Sequence, residues 1–287
     1  MAPVTVGAAQ IACRPGDIRA NVDAHLAAIR EAAGRAVELL VFPELSLTDY
    51  ETDPDTAGLA RRADCSELAV LAAAAGAMTV VVGFIEAVEA GERPRNACAA
   101  LRDGAVFHVH RKLNLPTYGA LVEGRHYASG TSIDTFPTPL GPAACLICAD
   151  TWNPALPWIA ALAGAEALVV PVASARGAVA DGFDSRDGWT VNLRHAALTY
   201  GVPVVMANHC GRRSGLDFWG GSAIVDAFGR VLAEAGEGPE LLVARLDPRD
   251  GVAARARLPT VRDAAPHLVR DILDDILGRR AASGDPS

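Results

Sequence analysis

Ala143-Ala144-Cys145-Leu146-Ile147-Cys148-Ala149-Asp150-Thr151-Trp152 is an apolar run that breaks at Cys148 into a polar turn. A second apolar segment follows, Pro154 to Ala163, with helical spacing, and Ala167 to Pro171 is apolar again. The passage reads as strand, sharp elbow, helix, strand. A cysteine at such an elbow is well placed as a nucleophile, because free backbone N–H groups there can receive an oxyanion and a helix N-terminus favours a thiolate.

The same alternation continues on both sides. Val4 to Ala12, Leu39 to Phe42, Thr79 to Ala87, Val204 to Ala207 and Leu241 to Leu246 read as strands. Asp17 is a natural N-cap for a helix carrying the stripe Ile18, Val22, Leu26 and Ile29. Ser66 to Ala75 and Trp189 to Tyr200 read as helices. Asp103-Gly104 joins Ala97–Arg102 to Ala105–His110 as a hairpin, and Ala227-Phe228-Gly229 joins Ser222–Asp226 to Arg230–Glu234. Strands alternating with helices indicate an α/β fold, and the hairpins make its sheets mixed. The stretch between residues 111 and 142 reads as a long polar loop. Leu268, Ile272, Leu273 and Ile276 mark a helix over 265–279, which packs either on a partner subunit or on its own domain. One domain over 1–280 and a frayed tail over 281–287 are expected.

Two further segments carry chemistry. In Val41-Phe42-Pro43-Glu44-Leu45-Ser46-Leu47-Thr48-Asp49-Tyr50, a carboxylate directly follows a buried strand and a proline. The tip of a strand is where α/β sheets present reactive groups, and a carboxylate held among apolar side chains suits a general base. In His110-Arg111-Lys112-Leu113-Asn114-Leu115-Pro116-Thr117-Tyr118-Gly119, Lys112 lies just past a strand, where a fixed cation can hold an oxyanion. His108 and His110 share one strand face without a nearby carboxylate or cysteine partner, so no metal site is read there. Cys145 and Cys148 form a Cys-x-x-Cys with no second pair, and read as separate thiols.

Taken together, the order and spacing of Glu44, Lys112 and Cys148 resemble the nitrilase, or carbon–nitrogen hydrolase, superfamily. Ala9-Gln10, Gly16-Asp17 and Asn21 resemble its opening segment; Pro43 to Thr48 is similar to its glutamate motif. Lys112 to Gly119, with Glu123 and Arg125, is similar to its lysine motif, and Asn208 with Gly220-Gly221-Ser222 to its later signature. The resemblance implies a four-layer α-β-β-α sandwich with two mixed sheets, pairing with a second copy as a homodimer or higher homo-oligomer. It implies a Glu44–Lys112–Cys148 triad supported by Glu123, with no cofactor and no metal. On that account Glu44 takes the Cys148 proton, the sulfur attacks an amide carbonyl, and Lys112 with the Ala149 N–H holds the oxyanion.

The chain is most similar to amide-cleaving branches, so a small carboxamide is the expected substrate. Ala149-Asp150 after Cys148 differs from the Trp-Glu usual in true nitrilases. N-Carbamoyl hydrolases share the triad, and acyl transfer shares the first half-reaction. A Cys–His hydrolase using His126, His195 or His209 and a silent scaffold are the remaining alternatives. Asp49 stands where the family commonly has glycine, Ala120-Leu121-Val122 replaces the usual Val-Phe-Asp, and Asp263-Ala264-Ala265-Pro266 lacks the usual paired arginines. Tyr118, His126, Trp152, Arg176, Trp189 and Trp219 are the substrate-pocket candidates: aromatic rings to wall an acyl group and an arginine to hold a carboxylate.

Composition narrows the remaining classes. Of 287 residues, 51% are hydrophobic, which excludes a largely disordered chain. Lys and Arg total 26 against 34 Asp and Glu, and this net charge of -8 argues against nucleic-acid or anionic-membrane partners. No apolar run reaches the roughly 18 residues of a membrane-spanning helix, and no basic segment precedes an apolar one at the N-terminus. A cytoplasmic protein is expected, its 6 scattered cysteines reduced and mostly buried.

Overall fold

The computed structural model describes residues 2–89, 91–180 and 182–283. One six-stranded sheet contains β1 (Val4–Gln10), β2 (Leu39–Val41), β3 (Thr79–Glu86), β4 (Arg95–Arg102), β5 (Ala105–Arg111) and β14 (Glu240–Leu246), in the order β14-β1-β2-β3-β4-β5. The other contains β6 (Thr135–Thr138), β7 (Gly141–Cys145), β8 (Ala167–Val172), β9 (Val204–Asn208), β12 (Ala223–Val225) and β13 (Val231–Glu234), in the order β13-β12-β9-β8-β7-β6. In each sheet three central strands, β1-β2-β3 and β7-β8-β9, run parallel and the outer strands are antiparallel. A separate hairpin joins β10 (Cys210–Arg213) to β11 (Leu216–Trp219).

The two-residue alternation of strand side chains sorts the apolar residues into layers. Val6, Ala8, Leu39, Val41 and Val81 face Cys145, Val169, Val205 and Ala207 between the sheets. Their neighbours Leu40, Val80 and Val82 point outward against Ile29 and Ala32 of helix Ile18–Gly34 and Leu68 and Leu71 of helix Ser66–Ala75. On the far side Leu168, Val170 and Val204 meet Trp189, Leu193 and Ala197 of helix Ser185–Tyr200. The molecule is therefore a four-layer α-β-β-α sandwich. Central strands buried on both faces read as unbroken apolar runs for this reason. Asp17 caps its helix as expected, accepting from the Ala20 N–H at 3.0 Å.

Several elements depart from the sequence reading. The polar stretch after β5 holds a helical turn, Glu123–His126, and the edge strand β6, whose Pro137 and short length hide it. The β10–β11 hairpin, whose strands have four residues each, and helix Pro248–Arg257, which buries only Pro248, Gly251 and Ala254, also escaped notice. The C-terminal helix runs Pro266–Ser283 and buries none of its residues: Leu268, Ile272, Leu273 and Ile276 are 37% to 58% exposed. Packing against its own domain is thus corrected, as is the frayed tail at 281–283, which is helical; residues 284–287 lie outside the described residues.

One glycine fixes how β2 continues toward its tip. Beyond Pro43 the chain crosses β3 at Gly83, and the Leu47 N–H donates to the Gly83 carbonyl at 2.9 Å. A Cβ on Gly83 would stand 2.3 Å from the Leu45 nitrogen and 2.6 Å from the Pro43 carbonyl oxygen. Backbone cannot yield as a flexible side chain does. Gly83→Ala is expected to cost at least about 1–3 kcal/mol, the usual range for overpacking, read as a lower midpoint in denaturant unfolding.

Candidate active site

Three chain segments leave their strands at neighbouring edges and converge. Glu44 lies three residues past β2, Lys112 directly follows β5, and Cys148 stands at the end of the segment that β7 begins. The Leu146 and Cys148 N–H groups still bond to β8, at the Val169 and Pro171 carbonyls, so the elbow is held to the sheet up to Cys148 itself. Cys148 has φ 46 and ψ -102, a conformation that L-residues seldom adopt and that turns the chain abruptly. Ala149 opens the following helical turn, where a backbone N–H has no partner within the helix.

Lys112 is fully buried and lies between two carboxylates. Its Nζ donates to Glu44 Oε1 at 2.6 Å and to Glu123 Oε1 at 2.8 Å. Asn96 Nδ2 donates to the same Glu44 oxygen at 2.7 Å, and the Tyr50 hydroxyl to Glu123 Oε1 at 2.8 Å. Glu44 Oε2 and Glu123 Oε2 are buried without partners among the described residues. Burial works against the Lys112 ammonium, but the charges of Glu123 and Glu44 outweigh it and hold the proton above the ordinary lysine range. Burial raises Glu123 to about 7, with Glu44 pushing the same way and Lys112 opposing.

The Cys148 thiol is held well above its ordinary value, first by burial and then by the charge of Glu44, with Lys112 pulling the other way. A helix only four residues long does not offset two carboxylates, so the thiolate expected from the helix N-terminus does not form at rest. A thiol in this state acts as a nucleophile only where a base can take its proton.

Asp150 is the residue the sequence reading passed over. Its Oδ1 accepts from the Leu113 and Asn114 N–H groups at 3.0 and 2.7 Å, and its Oδ2 from Ile147 N–H at 3.0 Å. One buried carboxylate thereby joins the Lys112 loop to the Cys148 elbow across the two sheets. A polar residue next to a suspected nucleophile was the available signal. The motif residues Gln10 and Asn208 have similar duties: Gln10 takes the Ser222 N–H at 2.9 Å, and Asn208 Oδ1 takes the Ser174 N–H at 2.9 Å.

A cavity of about 240 Å³ opens on Cys148. Glu123, Ala149, Tyr118, Trp152 and Trp189 line it, together with Phe183 and Ser185, which the sequence reading did not single out. His126, Arg176 and Trp219 do not line it. His126 faces Asp53 at 3.7 Å. Arg176 is drawn outward by Glu237 at 2.7 Å and Asp217 at 3.6 Å. Trp219 is buried behind the wall, its indole N–H donating to Ser174 Oγ at 3.0 Å.

The family model of the Carbon-nitrogen hydrolase family matches residues 5–256. The chain belongs to this family. It is 30% identical over 237 residues to a glutamine-dependent NAD(+) synthetase of Thermotoga maritima, covering 81% of this chain but only 40% of that one. Against the deaminated glutathione amidase of Homo sapiens, identity is 34% over 58% of this chain and 51% of the relative. The chain thus spans about half or less of these two relatives. Against the deaminated glutathione amidase of Escherichia coli O157:H7 it is 30% identical, covering 87% of this chain and 94% of that one. Among solved structures, the amidase of Nesterenkonia sp. AN1 aligns with a TM-score of 0.80 at 26% identity, over 93% of this chain and 96% of that one. A carbon-nitrogen hydrolase of Helicobacter pylori G27 shares the fold with a TM-score of 0.85 at 23% identity, over 95% of this chain and 99% of that one.

Behind Glu44 this carbon–nitrogen hydrolase carries a second buried polar cluster. Asp49 has φ 70, the region glycine adopts freely, which accounts for the glycine expected there. Arg213 compensates the substitution: its Nη2 donates to Asp49 Oδ1 at 2.6 Å, and its Nε to the other oxygen. The same Nη2 donates to His209 Nδ1 at 2.8 Å, which leaves the His209 proton on Nε2, and Nε2 donates to the Glu44 carbonyl at 2.7 Å. Both ring nitrogens are therefore engaged away from Cys148, which counts against a Cys–His pair. Cys13, Asp49 and His209 place ligand atoms within 4.8 Å of one another. With the guanidinium already on Asp49 and His209, this donor set does not fit a metal cation.

Burial lowers both His209 and His25 to about 4. A histidine depressed on folding contributes stability that is complete above its unfolded value of 6.5 and is lost as the pH falls through about 4. The loss of Tm between pH 6.5 and 4 is accordingly expected to be smaller in His209→Asn than in the parent protein, measured by thermal melts across that range.

Proposed function

We propose that this hydrolase cleaves the C–N bond of a small carboxamide and releases ammonia through a thioester on Cys148. The observation that carries the reading is the state of Glu44. One of its oxygens is locked by Lys112 and Asn96; the other, Oε2, is buried without a partner, and its charge acts on a thiol that keeps its proton. That oxygen is the natural acceptor of the thiol proton.

The steps follow from the groups present. Glu44 takes the Cys148 proton while the sulfur forms a bond to the amide carbon. The carbonyl oxygen becomes an oxyanion, held by the Lys112 ammonium and the Ala149 N–H. Donors of this kind are each worth about 10²–10³ in rate. As the C–N bond breaks, Glu44 returns its proton to the nitrogen and ammonia leaves. Water then gives a proton to Glu44 and its oxygen attacks the thioester; the C–S bond breaks, the sulfur regains the proton, and the carboxylic acid departs. Glu123 keeps Lys112 in place and binds Tyr50.

The names of the relatives support an amide substrate. A nucleophilic cysteine is supported by the Nesterenkonia amidase, a variant of which carries the acetamide moiety of fluoroacetamide on its active-site cysteine. The test is ammonia release from acetamide, propionamide and isobutyramide, with the matching nitriles and N-carbamoyl amino acids in parallel. Cys148→Ala should abolish release, and Glu44→Gln should lower kcat by about 10²–10⁴. Ammonia production that survives Cys148→Ala, or that comes only from carbamoyl compounds, would refute the proposal.

Glu123 yields a second test with a defined sign. Its folded value of about 7 lies above the ordinary 4.5, so its contribution to stability is complete below 4.5 and disappears as the pH rises to about 7. The Tm of Glu123→Gln relative to the parent should therefore improve as the pH is raised through that window, while its turnover stays below that of the parent. A Tm difference that is flat with pH would contradict this.

A further inference from the structure

The cavity beside Cys148 carries information about the acyl group, on the reading that this site cleaves amides. Its aromatic wall is built of edge-on contacts: the Trp152 ring meets Trp189 at 5.3 Å between centroids and Phe183 at 5.9 Å. Alanines 173, 175 and 178 and Val179 complete an apolar lining. Among the described residues the one charged group lining it is Glu123, a carboxylate already shared by Lys112 and Tyr50. The single arginine considered for the pocket, Arg176, is bound outside it. A carboxylate on the acyl group would lose its hydration, meet no cation and approach Glu123. Burial of an unpaired charge is costly.

Of the polar side chains lining it, Ser174 Oγ accepts from the Trp219 indole N–H at 3.0 Å and the Tyr50 hydroxyl donates to Glu123 at 2.8 Å, whereas Ser185 Oγ is buried without such a partner among the described residues. Ser185 begins helix Ser185–Tyr200, yet it does not cap it; Asp184 does, accepting from the Arg186 and Asp187 N–H groups at 3.0 and 3.1 Å. Ser185 Oγ is buried, lines the cavity and has no partner among the described residues. A buried hydroxyl without a partner is rare in folded proteins and is satisfied when a ligand supplies one.

We propose that this acyl pocket selects uncharged carboxamides with an apolar body, that it rejects acyl groups bearing a carboxylate, and that Ser185 Oγ bonds a polar but neutral atom on the acyl chain. The closest chemical comparison is pentanamide, glutaramide and glutaramate, which have similar length and end in a methyl, a neutral amide and a carboxylate. Initial rates of ammonia release by the purified full chain give kcat/KM for each, with acetamide as the minimal substrate and Cys148→Ala as the blank. Pentanamide and glutaramide should exceed glutaramate by about 100-fold, the scale of a strong substrate discrimination. Ser185→Ala should lower kcat/KM for glutaramide about 10-fold relative to pentanamide, as loss of one hydrogen bond does; a thermal melt matching that of the parent reports that the variant is folded. Arg176→Ala should change none of the three.

Glutaramate cleaved as well as pentanamide, or a KM for glutaramate that rises only in Arg176→Ala, would overturn the pocket assignment while leaving the amidase reading intact. Equal effects of Ser185→Ala on glutaramide and pentanamide would remove Ser185 from it. Absence of Cys148-dependent ammonia release from every amide, acetamide included, would overturn the pocket assignment together with the amidase reading on which it rests.

Discussion

A lysine ammonium with no access to water must be matched by anions, and this constraint organises the centre of the molecule. Lys112 is held between Glu44 and Glu123, and each partner comes from a different part of the chain. Removing one partner of such a buried pair ordinarily costs about 3–5 kcal/mol, because the remaining charge stays buried. The arrangement is therefore all-or-none: the segment after β2, the end of β5 and the turn Glu123–His126 must reach their places together. Tyr50 and Asn96 complete the hydrogen bonds, so the network restrains both carboxylates in orientation as well as position.

The surrounding backbone is shaped to serve that centre. Gly83 lets the Glu44 segment lie directly on β3, and Leu45 and Asp49 take left-handed conformations within it. Arg213 and His209 brace this strained stretch from behind, ending in a hydrogen bond to the carbonyl of Glu44 itself. Asp150 performs the matching task on the Cys148 side, where it receives N–H groups from both the Lys112 loop and the Cys148 elbow. Strain at a site persists where neighbours over-determine it, and here the neighbours are buried charged and polar groups.

The proposed chemistry and the proposed selectivity occupy different parts of the structure. The polar centre is buried between strand ends, while the cavity wall comes from the Trp152 turn, the segment following β8 and the start of helix Ser185–Tyr200. Loops and helix termini can vary without disturbing the sheets. Relatives of one family can then keep a common centre and differ in the acyl group they accept.

The local sequence determined the alternation of strands and helices, because strands buried on both faces must be apolar throughout and amphipathic helices must show a stripe; the stacking into four layers was implied by the family resemblance. Glu44, Lys112 and Cys148 each follow a predicted strand, and it was their order and spacing taken together, as a resemblance to the family, that marked them. The local sequence did not show the β10–β11 hairpin, whose strands have four residues each, nor Asp150 as a tie between the sheets or the pairing of Arg213 with Asp49, which depend on residues far apart in the chain with little local pattern. Trp219 and Arg176 looked equivalent to Trp152 and Trp189 in sequence. Only the tertiary structure placed the first pair outside the cavity and the second pair in its wall, because the direction of a side chain leaving a loop is set by what packs around it.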